Sequence, residues 1–359
     1  MTKVLVVDDS ALMRRLLTGV LTQAGFQTAT ARNGVEGVQM LTEWQPDVVT
    51  LDINMPAMDG LTALSLMMQA RPTPVVMVSS LTEQGAQATF EALALGAVDY
   101  VTKPGGTISL SVDDIAAQLL DKVRAAARAR VGRQGAAPAP APAPRPRPPV
   151  QRATPRAPSH AAGRPEGLVL VGVSTGGPRA LEYLLPALPA DFPWPVLVSQ
   201  HMPRNFTATF AQRMDGLCRL SVRECTGTLP LEAGHVYIAQ GGADMVVVER
   251  LGRLAVQPRP EHPDHPWHPS VDVMVDSAMA HMPAPRLVGV LLTGMGDDGA
   301  RAMTRLKQQG GRTIAESEST AVVFGMPGEL IDMGGASVVL PCGDVARQLG
   351  VWARMAVPA

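Results

Sequence analysis

Acidic residues stand at the ends of two apolar runs in the first part of the chain. Asp8 and Asp9 follow residues 4–7, and Asp52 lies near the end of residues 48–53. If these runs form adjacent parallel strands, their carboxyl ends meet at the edge of the sheet where ligands bind. Carboxylates this close repel one another, and a hard divalent cation with oxygen ligands offsets the repulsion. The pattern predicts a Mg²⁺ site, although an isolated Asp-Asp pair also serves as a helix cap.

A hydroxyl group and an ammonium group lie at the ends of two further runs. Ser79 closes residues 74–79, and Lys103 follows residues 98–102. At the same edge of the sheet, these groups can bind the oxygens of a phosphoryl group attached to one of the aspartates. Together the residue types indicate a site for an acyl phosphate.

A candidate nucleophile follows the first apolar run of the C-terminal part, residues 168–173. The sequence Gly-Val-Ser-Thr-Gly-Gly-Pro at 172–178 fits G-x-S-x-G, in which a serine occupies a tight strand-to-helix turn. The helix N-terminus beyond it offers backbone N–H groups to a developing oxyanion. Two other interpretations stay open, Ser174 as a helix N-cap and the glycines as a phosphate or dinucleotide loop. The stretch lacks the P-loop ending and the G-x-G-x-x-G spacing.

A serine nucleophile needs a base, and the base needs an orienting carboxylate. Of seven histidines, His201 directly follows a short apolar strand pattern, and Asp297 and Asp298 follow another at residues 287–292. Three strand ends therefore predict one Ser-His-Asp constellation, although each residue alone also fits a loop or capping role. The chain order Ser, His, Asp differs from the Ser, Asp, His order of α/β-hydrolases.

The elements that must position these residues follow a parallel-sheet pattern in both parts of the chain. Short Val/Ile/Leu-rich runs alternate with stretches of helical period, which is typical of α/β domains whose sheet is covered on both faces. We expect the first helix to be capped by Ser10, to end at Gly25 and to bury a stripe that includes Leu12 and Leu17. In the C-terminal part, strands are expected at residues 168–173, 196–199, 236–239, 245–248, 287–292 and 337–340.

A Pro/Ala/Arg-rich stretch separates the two parts. It lacks the apolar density for a core and favours extended conformations, so it is interpreted as a linker, with an SH3-type ligand as the alternative. The predicted organisation is a first domain at 1–125, a linker at 126–165 and a second domain at 166–355. The predicted fold class is α/β, with two doubly wound three-layer domains.

Charge and hydropathy exclude several classes of protein. The chain carries 31 Lys+Arg against 32 Asp+Glu, which lacks the basic excess of a nucleic-acid binder. No apolar run approaches the ~20 residues that span a bilayer, and the N-terminus does not resemble a secretory signal, so we expect a cytoplasmic protein without direct membrane insertion. The three cysteines lack CxxC spacing and are expected to be reduced. His262, His265 and His268 suggest a metal site, but the intervening prolines and the lack of a fourth ligand argue against one.

The motifs Val-Val-Asp-Asp-Ser, Leu-Asp-Ile-Asn-Met-Pro, Val-Met-Val-Ser-Ser and Tyr-Val-Thr-Lys-Pro resemble the response-regulator receiver family over residues 1 to about 125. The resemblance implies a flavodoxin-like receiver domain in which Asp52 accepts a phosphoryl group from a sensor histidine kinase. It further implies that Mg²⁺ is bound by Asp8, Asp9, Asp52 and the backbone carbonyl of Asn54. The implied switch residues are Ser79, Tyr100 and Lys103.

The motifs Gly-Val-Ser-Thr-Gly-Gly-Pro, Ser-Gln-His-Met-Pro, His-Pro-Ser-Val-Asp, Leu-Leu-Thr-Gly-Met-Gly-Asp-Asp-Gly-Ala and Phe-Gly-Met-Pro-Gly-Glu-Leu-Ile resemble the catalytic domain of the chemotaxis protein-glutamate methylesterase family. The resemblance implies a larger Rossmann-like domain without a hydrolase cofactor. It makes Ser174 the nucleophile, His201 the general base and acid, and Asp298 the orienting carboxylate. Asp298 is preferred to Asp297 because it directly precedes the Gly-Ala pair of its motif. The backbone N–H of Met295 is the expected oxyanion donor.

A receiver followed by a methylesterase domain reproduces the domain order of that family. It implies a phosphorylation-regulated hydrolase that demethylates glutamate methyl esters, and deamidates glutamines, on the cytoplasmic domains of methyl-accepting chemoreceptors during chemotaxis. The unphosphorylated receiver is expected to cover the Ser174 face. Two other output classes stay open, a non-catalytic interaction domain and a DNA-binding domain. The latter is disfavoured because the second part has no helix-turn-helix pattern and no basic cluster.

Overall fold

The computed structural model describes residues 1–80, 82–103, 112–129 and 165–355. Most of the predicted linker therefore lies outside the described residues. The first domain extends slightly beyond the expected boundary at 125, because its last helix ends at Arg128. In the described part of the chain, no helix is long and apolar enough to cross a membrane.

The N-terminal domain is a five-stranded parallel sheet in the order β2-β1-β3-β4-β5. This order is the doubly wound arrangement with strands one and three adjacent, as predicted. The strands are β1 (Lys3–Val7), β2 (Gln27–Ala31), β3 (Val48–Asp52), β4 (Val75–Ser79) and β5 (Asp99–Thr102). The helices are α1 (Ala11–Gln23), α2 (Gly34–Trp44), α3 (Gly60–Ala70), α4 (Glu83–Leu95) and α5 (Val112–Arg128).

The ends of α1 follow the expected local chemistry. Ser10 Oγ accepts a hydrogen bond from Met13 N, and Gly25 follows the helix with φ +87°, a left-handed conformation that favours glycine. The predicted buried stripe is only partly correct. Leu17 is buried, whereas Leu12, in the first turn of α1, is 76% exposed. The buried face of α1 therefore begins later than its apolar pattern suggests.

The C-terminal domain is built on a seven-stranded sheet in the order β15-β14-β13-β6-β7-β10-β8, and every pairing in it is parallel. Its strands are β6 (Leu168–Val173), β7 (Val196–Gln200), β8 (Ser221–Cys225), β10 (His235–Ala239), β13 (Leu287–Leu291), β14 (Arg312–Glu316) and β15 (Val338–Leu340). Its helices are α6 (Gly177–Ala187), α7 (Arg204–Leu217), α8 (Val271–His281), α9 (Ala300–Gln308), α10 (Met326–Asp332) and α11 (Cys342–Met355), with a 3₁₀ turn at Ala284–Arg286.

Alternate residues of the central strands pack on opposite faces of this sheet. Val169 and Val171 join a core formed with α6, α7 and α11, and Leu168 and Leu170 join one formed with α8, α9 and α10. Period-two alternation in a strand buried on both sides produces this three-layer arrangement. The α/β fold class with two parallel, helix-covered sheets is thus confirmed.

The strand expected at residues 245–248 lies outside the parallel sheet. It is part of β11 (Asp244–Arg250), which pairs antiparallel with β12 (Arg253–Arg259); β12 pairs in turn with β9 (Leu229–Pro230). Leu251 and Gly252 both have positive φ in the two-residue turn, a geometry that closes tight hairpins. This small sheet packs on the α8 side and places Asp244 near the sequence motif His268–Asp272.

Candidate functional site

The ends of β1 and β3 bring three carboxylates together. One oxygen atom of each of Asp8, Asp9 and Asp52 lies within 4.8 Å of the others. Asp8 and Asp52 are buried and Asp9 is exposed, so the cluster has an open side. Within the described ranges, this is the one group of three or more His, Cys, Asp or Glu side chains placed to hold an ion. Its hard oxygen donors fit Mg²⁺.

Lys103 bridges two of these carboxylates. Its Nζ lies 2.8 Å from Asp52 Oδ2 and 3.1 Å from Asp8 Oδ2. Burial alone lowers the pKa of Lys103, but the two carboxylates outweigh burial and raise this pKa above its ordinary value. Burial raises the pKa of Asp52, and the Lys103 cation offsets only part of that effect. A positive charge therefore stands beside the carboxylate at which phosphorylation is expected.

The other two expected switch residues contact neighbouring elements. Ser79 Oγ donates to the Gly85 carbonyl at 3.1 Å and lies 2.9 Å from Thr89 Oγ1, so its hydroxyl is engaged with α4. The ring of Tyr100 is buried, 4% exposed, and stacks on Phe206 of the C-terminal domain with ring centroids 4.6 Å apart. Tyr100 therefore contacts the second domain, whereas Ser79 bonds within the receiver.

Ser174 occupies a tight turn between β6 and α6, as its motif predicts. Gly177 N donates to the Ser174 carbonyl at 2.8 Å and closes the turn. Gly176 has φ +78°, and a Cβ at Gly177 would lie 2.0 Å from Gln200 Oε1, so both positions need glycine. The small neighbours allow other chain segments to approach the nucleophile closely.

The loop between β13 and α9 packs directly against this turn. Ser174 N donates to the Thr293 carbonyl at 3.0 Å, and Thr293 Oγ1 donates to the Thr175 carbonyl at 2.8 Å. A Cβ at Gly294 would lie 2.7 Å from Ser174 Cβ. Met295, the expected oxyanion donor, follows this contact directly in the chain.

Gln200 ties the nucleophile to the candidate base. Its buried Nε2 donates to the backbone carbonyls of Ser174 at 3.0 Å and of His201 at 3.1 Å. This amide was not among the predicted site residues. Its position at the end of β7, immediately before His201, was the available signal, because polar residues at that edge of the sheet face the site.

His201 lies beside Asp298, and these residues come from the loops after the two strands that flank β6. His201 Nε2 donates to Asp298 Oδ2 at 2.8 Å. The side chain of His201 is 11% exposed and that of Asp298 2% exposed. The strand order β13-β6-β7 thus brings the two residues together around the turn of Ser174.

The Asp298 carboxylate is surrounded by donors. Besides His201, it accepts from Val271 N at 2.7 Å, Asp272 N at 3.0 Å and Ser270 Oγ at 3.0 Å. Burial alone raises the pKa of Asp298, but the hydrogen bond and charge of His201, with the backbone N–H groups, outweigh it and lower the pKa below its ordinary value. Asp298 is therefore held ionised, in the state that orients an imidazole.

Asp297, the alternative carboxylate, lies on the surface. Its Oδ2 pairs with Arg301 at 3.0 Å, and its side chain is 36% exposed. The structure therefore distinguishes the two adjacent aspartates by their partners.

The whole arrangement matches two known domain families. Residues 169–349 match the CheB methylesterase family, and residues 4–112 match the response regulator receiver domain. The chain belongs to the CheB methylesterase family. A protein-glutamate methylesterase/protein-glutamine glutaminase 3 of Rhodospirillum rubrum is 54% identical over 356 residues, which cover 98% of this chain and 96% of the relative.

Two further comparisons agree with this assignment to the CheB family. A protein-glutamate methylesterase/protein-glutamine glutaminase 2 of Rhodopseudomonas palustris is 51% identical and covers 98% of both chains. The crystal structure of the CheB methylesterase catalytic domain of Thermotoga maritima superposes with a TM-score of 0.50 and 37% identity, covering 52% of this chain and 97% of that one.

In this CheB-family chain, the receiver contacts the methylesterase domain next to the candidate nucleophile. Thr175 Oγ1, adjacent to Ser174, donates to Asp99 Oδ2 at 2.6 Å in a buried hydrogen bond. Asp99 Oδ1 accepts from Lys122 Nζ at 2.9 Å, and the same Nζ donates to the Tyr100 carbonyl at 2.6 Å. The first residue of β5, held by Lys122 of α5, therefore forms a polar contact with the nucleophile turn.

Aromatic side chains complete this domain interface. Phe90 on α4 packs against Phe206 at 6.1 Å and against Phe210 at 5.4 Å between ring centroids, and Tyr100 stacks on Phe206. The two phenylalanines of α7 are fully buried. The interface thus joins the α4–β5 side of the receiver to the helix that follows His201.

A cleft of about 470 Å³ lies beside the candidate active site, between α5 of the receiver and the methylesterase domain. The receiver side is formed by residues of α5 that include Arg124 and Arg128. The other side includes Met295, Gly296 and Phe324. A substrate that reaches Met295 through this cleft therefore passes the receiver.

Proposed function

We propose that this chain is a phosphorylation-controlled serine hydrolase that removes methyl groups from glutamate methyl esters on the cytoplasmic domains of methyl-accepting chemoreceptors, and that it deamidates glutamines there. The observation that carries the proposal is the placement of Ser174, His201 and Asp298 at three adjacent strand ends. This placement occurs in a chain whose full-length relatives carry both activities in their names. We assign the receiver to 1–125 together with the end of α5 at Arg128, the linker to the rest of 126–165 and the methylesterase domain to 166–355. The site of action is cytoplasmic, where such substrates lie.

The proposed reaction uses the two nitrogens of His201 differently. Because Nε2 donates to Asp298, Nδ1 is the nitrogen that accepts the proton of Ser174. The serine oxygen then attacks the γ-ester carbonyl, and the resulting oxyanion accepts a hydrogen bond from the backbone N–H of Met295. As the intermediate collapses, the bond to the methoxy oxygen breaks and His201 donates its proton to that oxygen, which releases methanol.

Water completes the cycle. His201 removes a proton from a water molecule, whose oxygen attacks the acyl carbonyl, and the proton returns to the departing Ser174 oxygen. The product is a glutamic acid side chain, which loses its proton to solvent and becomes a carboxylate. With a glutamine side chain, the same steps release ammonia, but an amide nitrogen is a poorer leaving group, so we expect slower turnover.

We assign control of the hydrolase activity to the receiver domain. Asp52 accepts a phosphoryl group from a sensor histidine kinase. Asp8, Asp9, Asp52 and the Asn54 carbonyl would hold Mg²⁺, which would supply positive charge beside the phosphoryl oxygens. Lys103, already paired with Asp52, binds one of those oxygens.

A chain of contacts leads from this pocket to the domain interface. The hydroxyl of Ser79 can donate to the phosphoryl group only by giving up its bond to the Gly85 carbonyl on α4, and Thr89 of the same helix donates to the Ser79 oxygen that moves. Phe90 follows Thr89 on α4 and packs on Phe206. Movement of Ser79 therefore weakens the contact that holds the receiver over the nucleophile turn and shifts the population toward an open state.

The test is methanol release from methylated chemoreceptor cytoplasmic fragments, with and without acetyl phosphate and Mg²⁺. We expect release by the full chain, and a rise of about tenfold with the phosphodonor, within the usual range of coupling between two sites. Asp52→Asn removes the phosphoryl acceptor, so this variant should keep the unstimulated rate and lose the rise. Absence of methanol release from folded protein under both conditions would contradict the proposal.

The contact between Asp99 and Thr175 predicts a second effect on control. Asp99→Ala removes a buried, charge-assisted hydrogen bond across the interface, so we expect the unphosphorylated rate to rise about tenfold. The further increase with acetyl phosphate should shrink correspondingly. The matched control is Asp47→Ala, which removes an exposed receiver carboxylate bonded to Lys3 N. Equal unstimulated rates for Asp99→Ala and wild type would show that this contact does not restrain the enzyme.

A further inference from the structure

His201 has an aromatic neighbour in addition to its hydrogen-bonded partner. The indole ring of Trp267 lies almost parallel to the imidazole, with ring centroids 6.1 Å apart and planes 5° apart. Trp267 is half-buried, and a Cβ at Gly296 would lie 2.8 Å from its Cζ2. The indole therefore fits between the candidate base and the loop that follows Met295.

The segment that carries Trp267 is anchored by a carboxylate to which the proposed reaction assigns no part. Asp244, 1% exposed at the start of β11, accepts from His268 Nδ1 at 2.9 Å and from Ser270 N at 2.8 Å. Both bonds fall within three residues after Trp267. A buried carboxylate with two such donors restricts the backbone that positions the indole.

Ser270 connects this anchor to the candidate triad. Its N–H binds Asp244, and its hydroxyl donates to Asp298 Oδ1 at 3.0 Å. Two buried carboxylates therefore hold one residue from opposite sides. Asp298 fixes the edge of the imidazole, and the segment anchored by Asp244 places an aromatic face beside the same ring.

We propose that Trp267 is a positioning residue for His201, and that the Asp244–His268 pair holds it in place. The inference rests on the proposed function, because it requires His201 to act as the base. The imidazole becomes a cation when it takes the proton of Ser174, and an indole face attracts such a cation. A hydrogen bond at one edge leaves the ring free to rock about that bond, and a parallel indole limits this motion.

Removal of the indole should therefore lower turnover rather than substrate binding. We expect Trp267→Leu, which keeps apolar volume but has no aromatic face, to lower kcat about tenfold with KM changed less than about twofold. Trp267→Phe should restore most of the loss. The rate of covalent labelling of Ser174 by a serine-directed phosphonate should also be highest in wild type, lower in Trp267→Phe and lowest in Trp267→Leu. This rate is measured on the full chain with acetyl phosphate and Mg²⁺.

The conservative variant separates this role from space filling. A residue that only fills space would be replaced about equally well by Leu and by Phe, whereas a positioning role by an aromatic face predicts that Trp267→Phe keeps most of the rate that Trp267→Leu loses.

A double-mutant cycle tests the anchor. Asp244→Asn should reproduce part of the loss seen in Trp267→Leu, and the double variant should be no slower than Trp267→Leu alone, because both changes act through one ring. Additive losses would overturn the link to Asp244. A Trp267→Leu variant with wild-type kcat and labelling rate, or with only a raised KM, would overturn the positioning role. Phosphonate labelling reports on Ser174 and His201 even if methylated receptor fragments are not substrates, so failure of the proposed function remains distinguishable.

Discussion

Ser174→Ala should reduce methanol release by about 10⁶-fold, because the serine oxygen forms the acyl bond. The turn itself should survive. Its geometry comes from the Gly177–Ser174 backbone hydrogen bond and from Gly176, none of which involves the hydroxyl. The measurement is initial methanol release from methylated receptor fragments, with thermal unfolding as the check on folding.

Ser319→Ala is a suitable control for this change. Ser319 is exposed in the same domain, and its hydroxyl bonds to that of Ser317. This variant should keep the wild-type rate and the phosphonate label, and Ser174→Ala should lose both. Persistent release by Ser174→Ala at a tenth of the wild-type rate would mean that the esterase does not work through this serine.

Much of the fold follows from the sequence because its central strands are buried on both faces. Runs such as residues 4–7 and 168–173 contain little except Val, Leu and Ile, a pattern that few other structures explain. The strands that the pattern does not reveal carry polar residues. β2, Gln-Thr-Ala-Thr-Ala, lies at a sheet edge, and four of its five residues are exposed or partly exposed.

The apolar pattern does not predict β14 for a different reason, because this strand contains buried polar residues. Thr313 and Glu316 are fully buried in this strand, but each side chain is hydrogen-bonded, Thr313 Oγ1 to Ser337 Oγ and Glu316 to Thr293 N. A polar side chain with a partner is compatible with a core position, yet the partner is distant in the chain and is invisible to local periodicity.

The residues of the candidate site also fall into two groups, those that the sequence predicts and those that it does not. Ser174 and His201 can be placed because each follows an apolar strand directly, where parallel sheets bind ligands. Trp267 and Asp244 contact the site through residues of other elements, so spacing alone does not single them out. Gln200 could have been found from its position at the end of β7. The acidic cluster of the receiver is predictable because its three carboxylates share one edge of one sheet.

The fold, and not the spacing in the sequence, distinguishes the adjacent aspartates Asp297 and Asp298. Both residues follow β13 in the chain, so the spacing alone allows either carboxylate to reach His201. In the structure Asp298 is buried among His201, Ser270 and two backbone N–H groups, whereas Asp297 forms an exposed pair with Arg301 one helical turn away. Exposed pairs of this kind contribute little to stability.

Asp298→Asn should therefore lower kcat/KM about 10⁴-fold, and Asp297→Asn should leave it within about twofold of wild type. All four partners of Asp298 act as donors, so an amide NH₂ in place of either oxygen would face a backbone N–H, and in place of Oδ2 it could not hold His201 in the required tautomer. The comparison needs kcat/KM for both variants and their unfolding temperatures, because Asp298→Asn also weakens the hydrogen bonds to the backbone at the start of α8. If the larger loss fell on Asp297→Asn, the orienting carboxylate would be the exposed one and the His201–Asp298 contact would have only a structural role.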